Sequence, residues 1–544
     1  MSAPAVMIIG LDGATFDLLD PWIAAGELPN IAALLRGGAR GPLRSTHPPL
    51  TPVAWSSFLT GCNPGRHGIF GFMRLRPDYR PVFLNGGSLT IPTFLDLLSE
   101  AGMRVGALNV PWTWPPPPVN GFCLSGLDAP AVRPDIAHPP GLLEEVQAAI
   151  GGYFGWSIPP RRRGYALDRL DQQVDLCADA AVYLLGAHPV DVFAVVFGSS
   201  DHVQHWFWRD RSVRARDGRL VDDLLLYTYR RLDVQIGRLV ERCAGDSTTV
   251  ILMSDHGAGP CEGGINLDLW LASHGWLTPA RHRRGIGRRL RRGVMRAGAA
   301  LLPEALRRRL GGRLSRARRG VVADIITRHL DWPSSQAFAW SDYGNVSLNL
   351  CGRFGAGCVA EDRREGLLAE IAGALAELTH PLTGERLMSA PLRVETTWHG
   401  DQTADAPDLL AVVRGYRHEI LSCFAPVGAV PDDPGRAIFT PPVRQGTHRL
   451  HGVFCATGPR IRSGIRADGL CIEDIAPTVL HLVGQPVPGW MDGRVATQIL
   501  ERSDLARRPP ARDDRPLVAG AERGQYDEDQ QARVARNLRG LGYL

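Results

Sequence analysis

A short run of apolar residues closing on an acid recurs along this chain, and that repeat restricts the fold more than any other feature. Val6-Met7-Ile8-Ile9 runs into Gly10-Leu11-Asp12-Gly13. Val192 to Phe197 runs into Gly198-Ser199-Ser200-Asp201, and Thr248 to Met253 into Ser254-Asp255-His256-Gly257. Unbroken apolar runs of this length read as strands buried on both faces, the pattern of parallel sheets. Leu409 to Val413 and Val453 to Ala456 read as further core strands. Between the runs lie helical patterns, Leu167 to Leu185 and Val221 to Ala244. Strands alternating with helices predict an α/β fold: a large central mostly parallel sheet with helices on both faces. Ligands of such sheets collect at the carboxyl ends of the strands. Three of the predicted strands end there in Asp, or in Asp followed by His.

At 544 residues the chain is long for one ordinary domain. The expected organisation is a catalytic domain over residues 1–500, with an Arg-rich helical insertion or cap at 276–335. A polar C-terminal tail over 501–544 closes with a helix from Glu528 to Arg539. A net charge of +5 is small for this length and does not suggest a nucleic-acid binder. One segment departs from that balance: Arg281 to Arg319 is dense in Arg and holds a single acid, Glu304. The spacing of Leu290, Met295, Leu301, Leu302, Leu306 and Leu310 predicts amphipathic helices there. The segment reads either as a solvated cap or as a contact for an anionic surface, such as lipid head groups or nucleic acid. The ten cysteines include no CxxC pair, which argues against a Cys-based zinc cluster. No apolar stretch is long enough to span a bilayer, and the first apolar run is too short for a signal peptide. The expected compartment is the cytoplasm, with reduced thiols.

Two metal ions held about 4 Å apart need roughly six protein ligands, mostly Asp and His. The predicted strand ends supply them. Asp12 follows the first strand, and Asp201 and His205 stand one helical turn apart, on one face of a helix. Asp255 and His256 are adjacent after a strand, and His448 lies in Gln445-Gly446-Thr447-His448-Arg449 just before another. Each residue alone has a plain reading as a helix cap, turn residue or core histidine. As an ordered set at strand ends they point to a two-metal site.

In that order the chain resembles the type I phosphodiesterase and nucleotide pyrophosphatase branch of the alkaline phosphatase superfamily. The segment Thr51-Pro52-Val53-Ala54-Trp55-Ser56-Ser57-Phe58-Leu59-Thr60-Gly61, with Pro64 and His67-Gly68, resembles the family's nucleophile segment. Asp201-x-x-x-His205, Ser254-Asp255-His256-Gly257 and Gly446-Thr447-His448 match its later motifs. Gly458-Pro459, Ile472 to Leu480 and Asp492-Gly493 resemble its closing helix and loops. The likeness covers residues 5 to about 130 and 190–275 well, 335–500 more loosely, and leaves out the Arg-rich insertion. It implies an alkaline phosphatase-like fold and two divalent metal ions, zinc or alternatively manganese. One ion would be held by Asp12, Thr51, Asp255 and His256, and the other by Asp201, His205 and His448. Thr51 would be the nucleophile, forming a phosphothreonine on a small-molecule phosphate ester. The likeness favours His448 over His451 as the last ligand.

Two features qualify the match. Cys62-Asn63-Pro64-Gly65-Arg66 fits the Cys-x-Pro-x-Arg motif of sulfatases, but there the Cys lies nine residues before the Thr-Gly pair, a slot that holds Thr51 here. Nucleotide pyrophosphatases place an Asn shortly after the His-Gly, whereas Ile69 to Met73 holds none. The expected function is a metal-dependent phosphodiesterase, pyrophosphatase or phosphomonoesterase. A phosphotransferase or phosphomutase would share every residue above. A non-catalytic metal-bound module that binds an anionic partner through the Arg-rich segment is the reading from another class.

Overall fold

The computed structural model describes residues 3–153, 155–156, 163–214, 218–280, 330–340, 343–422, 437–514, 516–517, 520 and 523–541. The Arg281–Arg319 segment lies outside them. Nine strands form the main sheet, numbered in chain order: β1 Val6–Leu11, β2 Ala39–Arg44, β3 Val105–Leu108, β4 Gly121–Leu124, β5 Ala137–His138, β6 Val192–Phe197, β7 Thr249–Met253, β8 His451–Thr457 and β9 Leu470–Cys471. Their spatial order is β9-β2-β8-β7-β1-β6-β3-β4-β5. β1 sits at the centre, parallel to β6 and β7, with Ile8 level with Ala194 and Ile251. All three of these strands are buried at every position, so both faces of the sheet are covered. The three repeats of the sequence are therefore the three central strands, and their acids emerge side by side at one edge.

β8 runs antiparallel to both neighbours, β7 and β2. Its first residues consequently stand at the carboxyl edge of the parallel strands, which delivers the preceding segment, with His448, to that edge. The expectation that Leu409 to Val413 is a strand of the core sheet is not met. Only Leu409–Leu410 is strand, and it lies in a separate antiparallel four-stranded sheet with Ala337–Ala339, Asn345–Leu348 and Leu392–Arg393.

Four helices position the site: α1 Thr51–Thr60, α2 Arg163–Ala187, α3 Ser199–Phe207 and α4 Leu224–Cys243. α3 begins directly after β6, so Asp201 falls in its first turn. α2 and α4 correspond to the two predicted helical patterns and are laced together by ion pairs. Asp171, Asp175 and Asp179, one turn apart on α2, face Arg231 and Arg238 of α4, with Arg231 Nε 3.1 Å from Asp171 and Arg238 Nη1 2.6 Å from Asp179. Among the described residues no helix is long and apolar enough to cross a membrane. The C-terminal part folds back on the body. Tyr526 stacks on Trp114 with ring centroids 4.9 Å apart, and helix Glu528–Leu541 buries Val534, Ala535 and Leu538.

α4 also caps a neighbour. The helix Pro29–Gly37 starts after Leu28, which offers no capping oxygen. Asp233, on α4 and 1% exposed, instead accepts from Ile31 N at 2.7 Å, Asn30 N at 3.2 Å and Asn30 Nδ2 at 2.9 Å. Asp233→Ala strands the buried Ile31 donor and the two half-buried Asn30 donors, a loss of about 1–3 kcal/mol. The variant should melt about 1–3 °C below wild type in a thermal unfolding scan. An unchanged melting temperature would show that water or a relaxed backbone replaces the cap.

Candidate active site

The seven residues singled out from the sequence meet at the carboxyl edge of β6, β1 and β7, and none is more than 4% exposed. Six of them fall into two groups of convergent ligand atoms, Asp12, Asp255 and His256, and Asp201, His205 and His448, with Thr51 beside the first. In the first group His256 Nε2 lies 3.6 Å from Asp12 Oδ1, 3.3 Å from Asp255 Oδ2 and 3.3 Å from Thr51 Oγ1. In the second, His205 Nε2 and His448 Nε2 are 3.0 Å apart, and Asp201 Oδ1 lies 3.3 Å from one and 3.5 Å from the other. The groups adjoin, because the His256 and His448 rings stack at 3.6 Å.

The chemistry of these donors fits cations. Each carboxylate of the first group has one oxygen held by the protein and one left over. Asp255 Oδ1 accepts from Gly13 N at 3.2 Å, and Asp12 Oδ2 accepts from Trp55 Nε1 at 3.0 Å. Asp12 Oδ1 and Asp255 Oδ2 are buried and accept no hydrogen bond among the described residues. All three imidazoles turn Nδ1 to a backbone carbonyl: His205 to Gly446 at 2.9 Å, His448 to Pro49 at 2.7 Å and His256 to Gly257 at 3.0 Å. Those carbonyls accept from Nδ1–H, so each Nε2 carries its lone pair toward the convergence point. Lone pairs and carboxylate oxygens facing one another in a dry pocket repel unless a positive ion sits between them.

The protonation tendencies carry the same strain. Burial, with the charges of Asp255 and Asp201, pushes Asp12 well above the usual carboxylate range. Burial pushes Asp255 up to about 6. Asp201 is buried as well, yet the His205 and His448 imidazoles hold it well below the usual range. Burial and the neighbouring His256 lower His448.

Local sequence explains the placement. Thr51 opens α1, so its hydroxyl sits at the positive end of that helix. His448 lies on the strand Gly446–Arg449, which pairs with Gly257–Pro260 immediately after His256, with Ala258 level with His448. Gly446 is required there for a reason other than a tight turn. Its φ is not positive, but a Cβ on it would come within 2.3 Å of the Gln204 carbonyl on α3. His451, by contrast, is exposed at the start of β8 and is absent from both ligand groups. Sequence reasoning did not single out Trp55, Gln204 or the Pro49 carbonyl. Trp55 was detectable, since it follows Thr51 by one helical turn. In the Ile69–Met73 stretch, Phe70 stacks on Trp398 at 5.1 Å and Phe72 packs on Trp112 at 5.8 Å.

The sequence matches the type I phosphodiesterase / nucleotide pyrophosphatase family over residues 6–416. The chain belongs to that family. It is accordingly a hydrolase of the phosphodiesterase and pyrophosphatase type, within the alkaline phosphatase superfamily. Solved structures share the fold at low identity. Phosphonoacetate hydrolase from Sinorhizobium meliloti, in complex with phosphonoformate, is 16% identical with a TM-score of 0.54, covering 87% of this chain and 94% of that one. Human ectonucleotide pyrophosphatase/phosphodiesterase 5 is 13% identical with a TM-score of 0.50, covering 91% and 99%. An inactive threonine-to-alanine variant of the murine ectonucleotide pyrophosphatase/phosphodiesterase 5, bound to AMP, gives 13%, 0.50, 92% and 100%. A search of curated protein sequences returns no match.

His67, of the family's His-Gly pair, is structural in this fold. Its Nδ1 accepts from Ile69 N at 3.1 Å, so Nε2–H donates to Ser57 Oγ at 3.0 Å. Burial holds the imidazole down at about 3. In the unfolded chain it takes a proton near 6.5, so between those values the unfolded state binds the extra proton. Its contribution to stability is complete above about 6.5 and is lost as pH falls toward 3. In metal-free protein, acidifying from neutral pH to about 5 should therefore lower the melting temperature less in His67→Gln than in wild type. Equal slopes would locate the acid sensitivity in other residues.

Proposed function

We propose that this family member hydrolyses a phosphate ester through a phosphothreonine formed on Thr51, with one divalent ion at each ligand group. The observation that carries the reading is the position of Thr51 Oγ1, 3.3 Å from His256 Nε2 and beside two carboxylate oxygens that nothing else satisfies. Asp12, Asp255, His256 and Thr51 would hold one ion and Asp201, His205 and His448 the other. The mixed carboxylate and imidazole donors suit zinc, with manganese as the alternative. Two ions bound there would make the threonine alkoxide accessible near neutral pH and neutralise charge on the attacking and leaving oxygens.

The chain's own part is positional. Thr51 Oγ1 attacks phosphorus in line, the bond to the leaving oxygen breaks, and the alcohol departs with a proton. Water then attacks the phosphothreonine, the P–Oγ1 bond breaks, and Thr51 recovers its proton. The N-terminus of α1 favours negative charge on Oγ1 throughout. The Ile69–Met73 stretch carries no side-chain amide for the phosphoryl group, which leaves monoesters as open as diesters. The murine relative, inactive when a threonine is replaced by alanine, supports a threonine nucleophile.

Thr51→Ala should lower turnover of an aryl phosphate ester by several orders of magnitude while retaining two ions per chain. Cys62→Ala should turn over like wild type. Activity of Thr51→Ala within about tenfold of wild type would place the nucleophile elsewhere.

The ligand assignment is checked by metal content. His448→Ala should lose one ion and keep the other near stoichiometric, whereas His451→Ala should keep both. Loss of an ion from His451→Ala alone would reverse the assignment.

A further inference from the structure

The ligand oxygens of Asp12 are not equivalent, and the difference traces to one side chain on the nucleophile's helix. Trp55 is fully buried and donates its indole Nε1–H to Asp12 Oδ2 at 3.0 Å. Asp12 Oδ1 is left without a hydrogen bond, 3.6 Å from His256 Nε2. Trp55 follows Thr51 by four residues on α1, so one turn of helix carries both the hydroxyl and the indole that fixes the neighbouring carboxylate. The indole reaches Asp12 by lying against the backbone of β1. A Cβ on Gly10 would stand 2.7 Å from Trp55 Cη2 and 2.9 Å from Val196 Cγ2, so that strand position must lack a side chain.

We infer that Trp55, seated on Gly10, is the positioning residue of the first ion site. It occupies one carboxylate oxygen of Asp12 so that only Oδ1 is offered, in a fixed direction, beside Thr51. A buried carboxylate that can rotate presents its ligand atom only part of the time. A hydrogen bond from outside the ligand set removes that freedom, and losing such a partner typically weakens metal binding about tenfold to a hundredfold. Aromatic residues at this depth have a purely packing role as the alternative, and Trp55 does pack edge-on against Phe58 at 5.2 Å. The packing and the hydrogen bond are separable by mutation. Phe58 touches Trp55 and Phe94 and belongs to neither ligand group.

The inference rests on the two-ion reading above, and its test reads ion affinity rather than activity. Apo protein is titrated with zinc against a competing chelator for wild type, Trp55→Phe, Gly10→Ala and Phe58→Leu, with thermal unfolding as the fold check. Trp55→Phe should bind one of its two ions about tenfold to a hundredfold more weakly and the other unchanged. Gly10→Ala, which keeps the indole but pushes it off the strand, should show the same selective loss and stands in should Trp55→Phe fail to fold. Phe58→Leu should match wild type in both affinities while losing thermal stability. Wild-type affinities for both ions in folded Trp55→Phe, or an equal loss in Phe58→Leu, would overturn the inference and leave the two-ion reading intact. A wild-type protein that takes up no ion would overturn that reading itself.

Discussion

Three carboxylates share one dry pocket, and the rest of the site is arranged around that repulsion. In a low-dielectric interior two such charges a few ångströms apart cannot both persist without compensation. The imidazoles beside Asp201 do not supply it, because His205 and His448 turn Nδ1–H to backbone carbonyls and bring Nε2 lone pairs within 3.5 Å of its Oδ1. Asp12 and Asp255 have only His256 between them, and each retains a buried oxygen that accepts nothing. The main sheet makes this arrangement rigid. Asp12 and Asp255 follow the adjacent strands β1 and β7, so their separation derives from the interstrand spacing of about 4.8 Å, while Asp201 is placed by the first turn of α3 after β6. That spacing is close to the roughly 4 Å between ions in two-metal centres. A loop-built cluster of the same residues would relax apart; one set at the ends of two hydrogen-bonded strands and on the helix that follows a third is held in place.

The second layer of control comes from backbone carbonyls. The Pro49 carbonyl fixes the tautomer of His448, and Pro49 stands two residues before Thr51. The Gly446 carbonyl fixes His205, and Gly446 stands two residues before His448. The second ligand group is therefore oriented by the chain that leads into its own His448 and by the chain that leads into Thr51. A shift of the Thr51 segment would turn the His448 ring, and a shift of the Gly446–Arg449 strand would release His205. Asp12 is tied in the same manner through Trp55. Thr51 and both ligand groups are thereby tied into one hydrogen-bonded network.

How much of this was legible in the sequence depends on where each signal resides. Asp12, Asp201 and Asp255 were legible because a strand buried on both faces leaves an unbroken apolar run, and the first acid after it marks the edge. His205 was legible from helical spacing. His448 depended on resemblance, since its place is set by the pairing of Gly446–Arg449 with Gly257–Pro260, a contact between segments far apart in sequence. The outer strands were not legible: β2 alternates buried and open positions and includes Arg40, Gly41 and Pro42, which read as loop. Leu409 to Val413 misled for the converse reason. Its apolar run is buried, but against a subsidiary antiparallel sheet, and composition does not say which sheet buries a strand.

Cys62 shows why spacing outranks motif in such a site. The string Cys62-Asn63-Pro64-Gly65-Arg66 satisfies a sulfatase pattern residue by residue. α1 separates it from the chemistry: Thr51 opens the helix and Cys62 lies beyond its last residue, Thr60. At 1.5 Å per residue the two ends of a ten-residue helix are about 13 Å apart, several times the reach of a side chain. The Cys62 thiol is spent in the interior instead, with Sγ 3.6 Å from the Trp490 carbonyl and burial raising it far from the thiolate form. Asn63 and Arg66 of the same string turn to Asp492, which accepts from Asn63 N at 2.9 Å and Arg66 Nε at 3.0 Å. Those contacts anchor the far end of the helix to the loop after Trp490. The segment's two ends thus have different duties: the N-terminal end presents Thr51 to the ligand groups, and the C-terminal end locks the helix that presents it.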